Sequence, residues 1–411
     1  PTISQGQASW LDPSGNKIIY AGTPAAVDPR ITWQDIATLD FGFDARFFNG
    51  ELGVTFDWYQ RDTKNMIVPG EGVTWTFGAG SPKGNFGSLR TRGWELSIDY
   101  NHRFENGLGI NAMVSLSDAQ TEITAYGDTK SIDSWYIGKK YGEIWGYRTD
   151  RLYQKDDFVY ADGKLVTVWA LNGKEVPANT PGAKEMNKLK DPNGVYQDYF
   201  QTGTIKFGPG DVKYKDVNGD GRITEDDQVP LAYSNYPLLM YGFGGEFRYK
   251  SFTLACLFKG TGNTTYFKVG NGYEMGYVPF HGEKTGNVPV EAGVQANRWT
   301  PAWYSGDPST ENPNAAFPRL SYGKNENNTK KSTFWKDNAR YLRLQEISLT
   351  YNLKTKGFVK RLGIQSFDFQ LVGYNLAVWS GVKTVDPEQA QKMGRVYPIP
   401  ARYAFQTYIH F

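Results

Sequence analysis

The chain has 411 residues and carries 45 Lys and Arg against 43 Asp and Glu, a net charge of +2. With no basic block it lacks the electrostatic footprint of a nucleic-acid binder. Aromatic residues make up 15%, glycines number 46 and mean hydropathy is −0.54, a combination that points to turn-rich β-structure and contains no apolar run long enough for a membrane-spanning helix. A transmembrane β-barrel stays open to it, because such a wall meets lipid only at every second side chain.

Taken in order, residues 1–38 read as outer-loop material and 39–411 as barrel strands joined by loops. Alternation begins at 39–48, where Leu39, Phe41, Phe43, Ala45 and Phe47 oppose Asp40, Asp44 and Arg46. It continues at 51–61 with Leu52, Val54, Phe56 and Trp58, and is clearest at 92–104, where Trp94, Leu96, Ile98, Tyr100 and Phe104 share one parity. Further alternating segments lie at 108–123, 238–250, 252–267, 341–353, 365–380 and 401–411, nine in all. The connections alternate between tight turns (Asn49-Gly50, Glu105-Asn106-Gly107, Lys250-Ser251) and long loops, notably 124–237 and 268–340. Short turns at one rim and long loops at the other mark an outer-membrane barrel. Segment 143–154 resembles a strand, but crossing there would reverse the direction of 238–250, so it belongs to the outer loops. The chain then enters from outside and ends with Phe411 at the periplasmic rim. Its opening, Pro1-Thr-Ile-Ser, carries neither Met nor export signal, as expected for part of a longer polypeptide. A secreted soluble β-sheet protein that binds glycans is the alternative.

Chemistry concentrates in the loops. Asp216-Val-Asn218-Gly-Asp220-Gly221-Arg222, followed by Asp227, places oxygen donors at positions one, three, five, seven (the Arg222 carbonyl) and twelve of a calcium-type loop. The expected cofactor is a structural Ca2+, with a carboxylate at position twelve shorter than the usual Glu. Trp135, Trp299, Trp303, Tyr304 and Trp335 are the candidate substrate- or partner-binding residues, joined by Tyr136 and Tyr397, since aromatic faces near polar groups suit sugar rings or peptides. His102, His281 and His410 lie in separate segments, and no nucleophile elbow or phosphate-cradling loop is present, so no enzyme is expected. Cys256 sits within an alternating run as a small apolar residue.

The final strand, with Tyr403, Phe405, Ile409 and Phe411 on one parity, resembles the terminal strand read by the barrel-assembly machinery of Gram-negative bacteria. Several segments resemble the SusC/RagA family of TonB-dependent importers of Bacteroidetes. They are Ile31-Thr-Trp33, Asp57-Trp-Tyr59-Gln-Arg-Asp-Thr63, Gly93-Trp-Glu95, Gly142-Glu-Ile-Trp-Gly-Tyr147, Asp216-Val-Asn-Gly-Asp-Gly221, Tyr341-Leu-Arg-Leu344, Gly373-Tyr-Asn-Leu376 and Asp386-Pro-Glu388. The resemblance implies an all-β fold, the C-terminal portion of a 22-stranded transmembrane antiparallel barrel with long extracellular loops, whose plug domain is not in this sequence. It also implies residence in the bacterial outer membrane and active import of oligosaccharides or oligopeptides. The implied partners are a SusD-like surface lipoprotein, the TonB complex, and the rest of the same barrel and plug.

Overall fold

The computed structural model describes residues 5–21, 28–70, 74–77, 80–127, 132, 134–201, 205–234, 236–268, 297–301, 311–320, 325–383, 385–392 and 396–411. Its largest element is a nine-stranded antiparallel sheet. The strands are β1 (Asp35–Phe47), β2 (Leu52–Pro69), β3 (Lys83–Arg103), β4 (Leu108–Ala125), β5 (Leu239–Tyr249), β6 (Phe252–Gly262), β7 (Tyr341–Lys354), β8 (Ser366–Ser380) and β9 (Arg402–His410). Each pairs only with those before and after it in this series. Each of the nine predicted segments overlaps a wall strand, but β1 starts at Asp35, inside the stretch expected to be outer loop, and β6 ends at Gly262, with Thr265–Phe267 pairing instead with Lys336–Asn338.

Register converts the alternation into two surfaces. One row crosses all nine strands as Phe47, Leu52, Tyr100, Ala112, Gly245, Cys256, Ile347, Gly373 and Tyr403. The row facing the other way reads Gly42, Asp57, Glu95, Ser117, Met240, Thr261, Tyr341 and Ser380. Phe41, Leu371 and Phe405 on the apolar face are 62%, 59% and 66% exposed, and among the described residues no second sheet covers that face. An uncovered apolar band of this extent belongs in hydrocarbon rather than water. Among the described residues there is no pair of sheets packed face to face, as a soluble sandwich requires.

Tight turns close one rim. Gly50 and Gly107, at φ 92° and 86°, take left-handed conformations that only glycine adopts without cost, and Lys250 at φ 55° closes β5 to β6. At the opposite rim β2 and β3 outrun the apolar band, and their outward face turns polar. Arg92 Nε donates to Gln60 Oε1 at 2.9 Å, and Arg90 Nε to Asp62 Oδ1 at 2.6 Å.

The segment 143–154 lies outside the wall. Ile144–Gly146 pairs with Val229–Ala232, and Thr149–Leu152 with Val212–Tyr214. Next to them Thr167–Leu171 pairs with both Lys174–Val176 and Lys184–Asn187. Two apolar cores hold this outer structure. Tyr147, Leu152, Phe200, Val212, Tyr214, Ile223 and Trp299 form one; Tyr153, Phe158, Ala170, Met186, Leu189, Tyr196 and Phe207 form the other. The 124–237 loop therefore has its own hydrophobic interior.

Candidate functional site

The outer loops meet at a buried polar hub. Asp211 is fully buried, and its Oδ1 accepts from Arg319 Nε at 2.9 Å, Asn325 Nδ2 at 3.1 Å and Asn328 Nδ2 at 2.8 Å. Its Oδ2 accepts from Gly208 N and Arg319 Nη2 at 2.8 and 2.9 Å. The paired Asp211 raises the Arg319 guanidinium still further above its ordinary range. Asn328 Oδ1 accepts from Val212 N at 2.9 Å, Asn327 Nδ2 donates to Val212 O at 2.8 Å, and Gln197 Oε1 accepts from Tyr214 N at 2.7 Å. One carboxylate thus ties the 144–235 loop to the 311–335 segment, and a buried charge in this position is stable only because every lone pair is used. Sequence reading missed this hub. Its signal was the run Asn325-Glu-Asn-Asn328, unusually rich in side chains able to bond backbone groups.

Trp299 and Trp335 require correction. Trp299 is 5% exposed and belongs to the first apolar core, its Nε1 donating to Gln154 Oε1 at 3.1 Å. Trp335 is 0% exposed, edge-on to Phe334 with ring centroids 4.9 Å apart, and its Nε1 donates to Asn328 O at 2.7 Å. Both faces are occupied, so neither ring can stack on a ligand; packing of the loops against each other outcompeted exposure. Trp135 is half-buried between Tyr126 and Tyr141, while Tyr397 is 84% exposed. Tyr136 donates to Glu143, and burial together with that carboxylate pushes its hydroxyl up to about 12. Trp303 and Tyr304 lie outside the described residues.

The 216–227 turn closes on itself. Asp216 Oδ1 and Oδ2 accept from Gly219 N and Gly221 N at 2.6 and 2.8 Å, Asn218 Oδ1 from Asp220 N at 2.9 Å, and Asp220 Oδ1 from Arg222 N at 2.9 Å. Asp227, fully buried, accepts from Val217 N and Thr224 N, both at 2.8 Å. Gly219 and Gly221 are left-handed at φ 76° and 78°. Each of these oxygens retains a lone pair. Among the described residues, however, no three His, Cys, Asp or Glu side chains converge as a metal centre.

Comparison with known proteins fits the wall geometry. Residues 1–178 match the family model described as TonB dependent receptor-like, beta-barrel. The wall resembles that of TonB-dependent receptor-like β-barrels. The chain is 28% identical over 364 residues to TonB-dependent receptor P26 of Formosa agariphila, covering 88% of this chain and 32% of that one. Against TonB-dependent receptor P3 of the same organism it is 23% identical over 379 residues, covering 87% and 31%. The chain therefore spans about a third of the length of these relatives, which are receptors rather than enzymes. Among solved structures, the RagAB peptide transporter matches with a TM-score of 0.60 at 18% identity, covering 94% of this chain and 36% of that one. The RagAB peptide importer in the open-open state matches at 0.63 and 17%, covering 100% and 38%. At those identities the likeness is one of fold, a TonB-dependent receptor barrel, and that family resides in the outer membrane.

Proposed function

We propose that the chain is part of an integral outer-membrane importer that moves oligosaccharides or oligopeptides inward with energy delivered through TonB. The observation that carries the reading is the nine-strand register itself, which sets an apolar row outward and a row richer in polar side chains inward, as a transport wall needs. Likeness to structures named for peptide transport supports the peptide branch of the cargo. The rest of the barrel would close onto the free edges of β1 and β9, a plug would fill the lumen, and a SusD-like surface lipoprotein would cap the outer loops. Uptake of labelled peptide and glycan mixtures by cells with and without the full gene tests this. Retention of both uptakes after deletion would refute it.

We also propose that the 216–227 turn takes a structural Ca2+ through Asp216, Asn218, Asp220, the Arg222 carbonyl and Asp227, drawing the carboxylates inward. The donor order and the lone pairs left free support it. A chelator should then speed proteolysis within the turn, with calcium restoring protection. Equal cleavage in both conditions would end the proposal.

A further inference from the structure

Two of the sequence motifs, Tyr341-Leu-Arg-Leu344 and Asp386-Pro-Glu388, have no part in the reading above, and the structure brings them together. After β8 the chain turns toward the polar side of the wall. Val382 and Ala390 bury against Tyr266 and Ala339, with Val385 alongside. Arg343, only 2% exposed, lies beside Lys259 in the register, on the face opposite Phe258 and Leu344. Its Nη2 reaches both oxygens of Asp386 at 2.6 Å, and its Nε lies 3.4 Å from Glu388 Oε2. Lys259 Nζ donates to Glu388 Oε1 at 2.7 Å. Two cations from β6 and β7 thus hold two anions of the loop.

The two halves of this network differ. Arg343 and Asp386 are withdrawn from water, so neither can leave without stranding the other's charge. Lys259 and Glu388 are about a third exposed and contribute as a surface pair does. Glu388 also borders an inner cleft of about 540 Å3 shared with Asp57, Glu95, Ser97 and Thr261, so the loop stands over the lumen rather than outside it.

We infer that residues 381–383 and 385–392 form a fixed inner ledge, latched by Arg343, that limits the size of solute passing along this side of the lumen. The selective role rests on the import reading; the latch does not. In the full-length protein, R343M and D386N should each accelerate amide exchange across 381–392 by about tenfold or more, whereas K259M should change it by about threefold or less. Heat-modifiability on gels, unchanged in all three, would show the barrel intact. In cells, uptake of a length ladder of fluorescent oligopeptides and oligosaccharides should extend to longer members in R343M and D386N. Unchanged exchange in those two variants would overturn the latch. Faster exchange with an unchanged length limit would overturn the selective role. If the wild type imports no member of either ladder, the import reading falls and the selective role with it, and exchange alone still judges the latch.

Discussion

Replacing Asp211 with Ala should open the outer loops while leaving the wall assembled. The substitution strips the acceptor from Gly208 N, Asn325 Nδ2 and Asn328 Nδ2 inside a buried site, and from Arg319 at its margin. Each buried donor left without a partner costs about 1–3 kcal/mol. Arg319 is 30% exposed and can recover water, so its share is smaller. Because these losses overlap, the total falls near the roughly 3–5 kcal/mol typical of breaking a buried charged pair. At about 1.4 kcal/mol per tenfold, the opening equilibrium rises by about a hundredfold to a few thousandfold. Asp211→Asn keeps one acceptor and should cost about 1–2 kcal/mol. Native-state amide exchange of the detergent-solubilised full-length protein reads the effect at 209–214 and 325–335, with heat-modifiability as the control for the barrel. Exchange in Asp211→Ala within about threefold of wild type would refute the reasoning, because the hub would then not be what joins the loops.

Burial alone would raise the Asp157 carboxyl, but Arg151, whose Nη1 and Nη2 donate to it, and the Gln154 N–H outweigh burial and hold it below its ordinary 3.8. A lowered carboxyl stabilises the fold above that value and loses the contribution as pH falls through the folded one. Proteolysis of the 143–200 region should therefore accelerate below about pH 4, and less steeply in Asp157→Asn. Trp335→Ala should destabilise the loops by about 3–5 kcal/mol, and Trp135→Ala by less than about 1 kcal/mol. Thermal unfolding of the loops, followed by tryptophan fluorescence, separates the two.

The wall was legible because lipid on one side and water on the other impose a period of two on the residues between them. Where lipid ends, so does the signal. Alternation carried β2 only to about Arg61 and started β3 at Arg92, yet the strands run to Pro69 and from Lys83. Asp62 and Arg90 sit on the same outward rows as Trp58 and Trp94, but beyond the band polar pairing replaces apolar contact. The loops were legible only in composition. A tryptophan far from any strand serves a ligand or a core equally well by sequence, and the partners that decide it for Trp335 include Phe317, which lies elsewhere in the chain. The hub was hidden for the same reason: Asp211 meets its Asn and Arg partners across separations of 108 to 117 residues, which no local pattern encodes.

β7 carries a final test of how register serves the lumen. Read with strict alternation from Ile347 and Leu349, Arg343 would face lipid and Leu342 and Leu344 the interior. A bulge prevents this. Leu257 pairs with Glu346 while the adjacent Phe258 pairs with Leu344, leaving Gln345 opposite nothing on β6. Two leucines above the bulge and the apolar residues below it thereby share the outward face, and Arg343 turns inward to Asp386. It follows that deleting Gln345 should be tolerated. Leu344 and Glu346 would become neighbours with their present facings kept, and a side chain whose Oε1 is buried without a partner among the described residues would be removed. The cost falls on β8, where Asn375 and Leu376, already irregular against Gln345 with Asn375 at φ 53°, would lose their facing residue. The deletion should therefore leave exchange across 381–392 close to wild type, in contrast to R343M, and retain a heat-modifiable barrel. Loss of protection in that segment would mean that the bulge, rather than residue facing, positions Arg343.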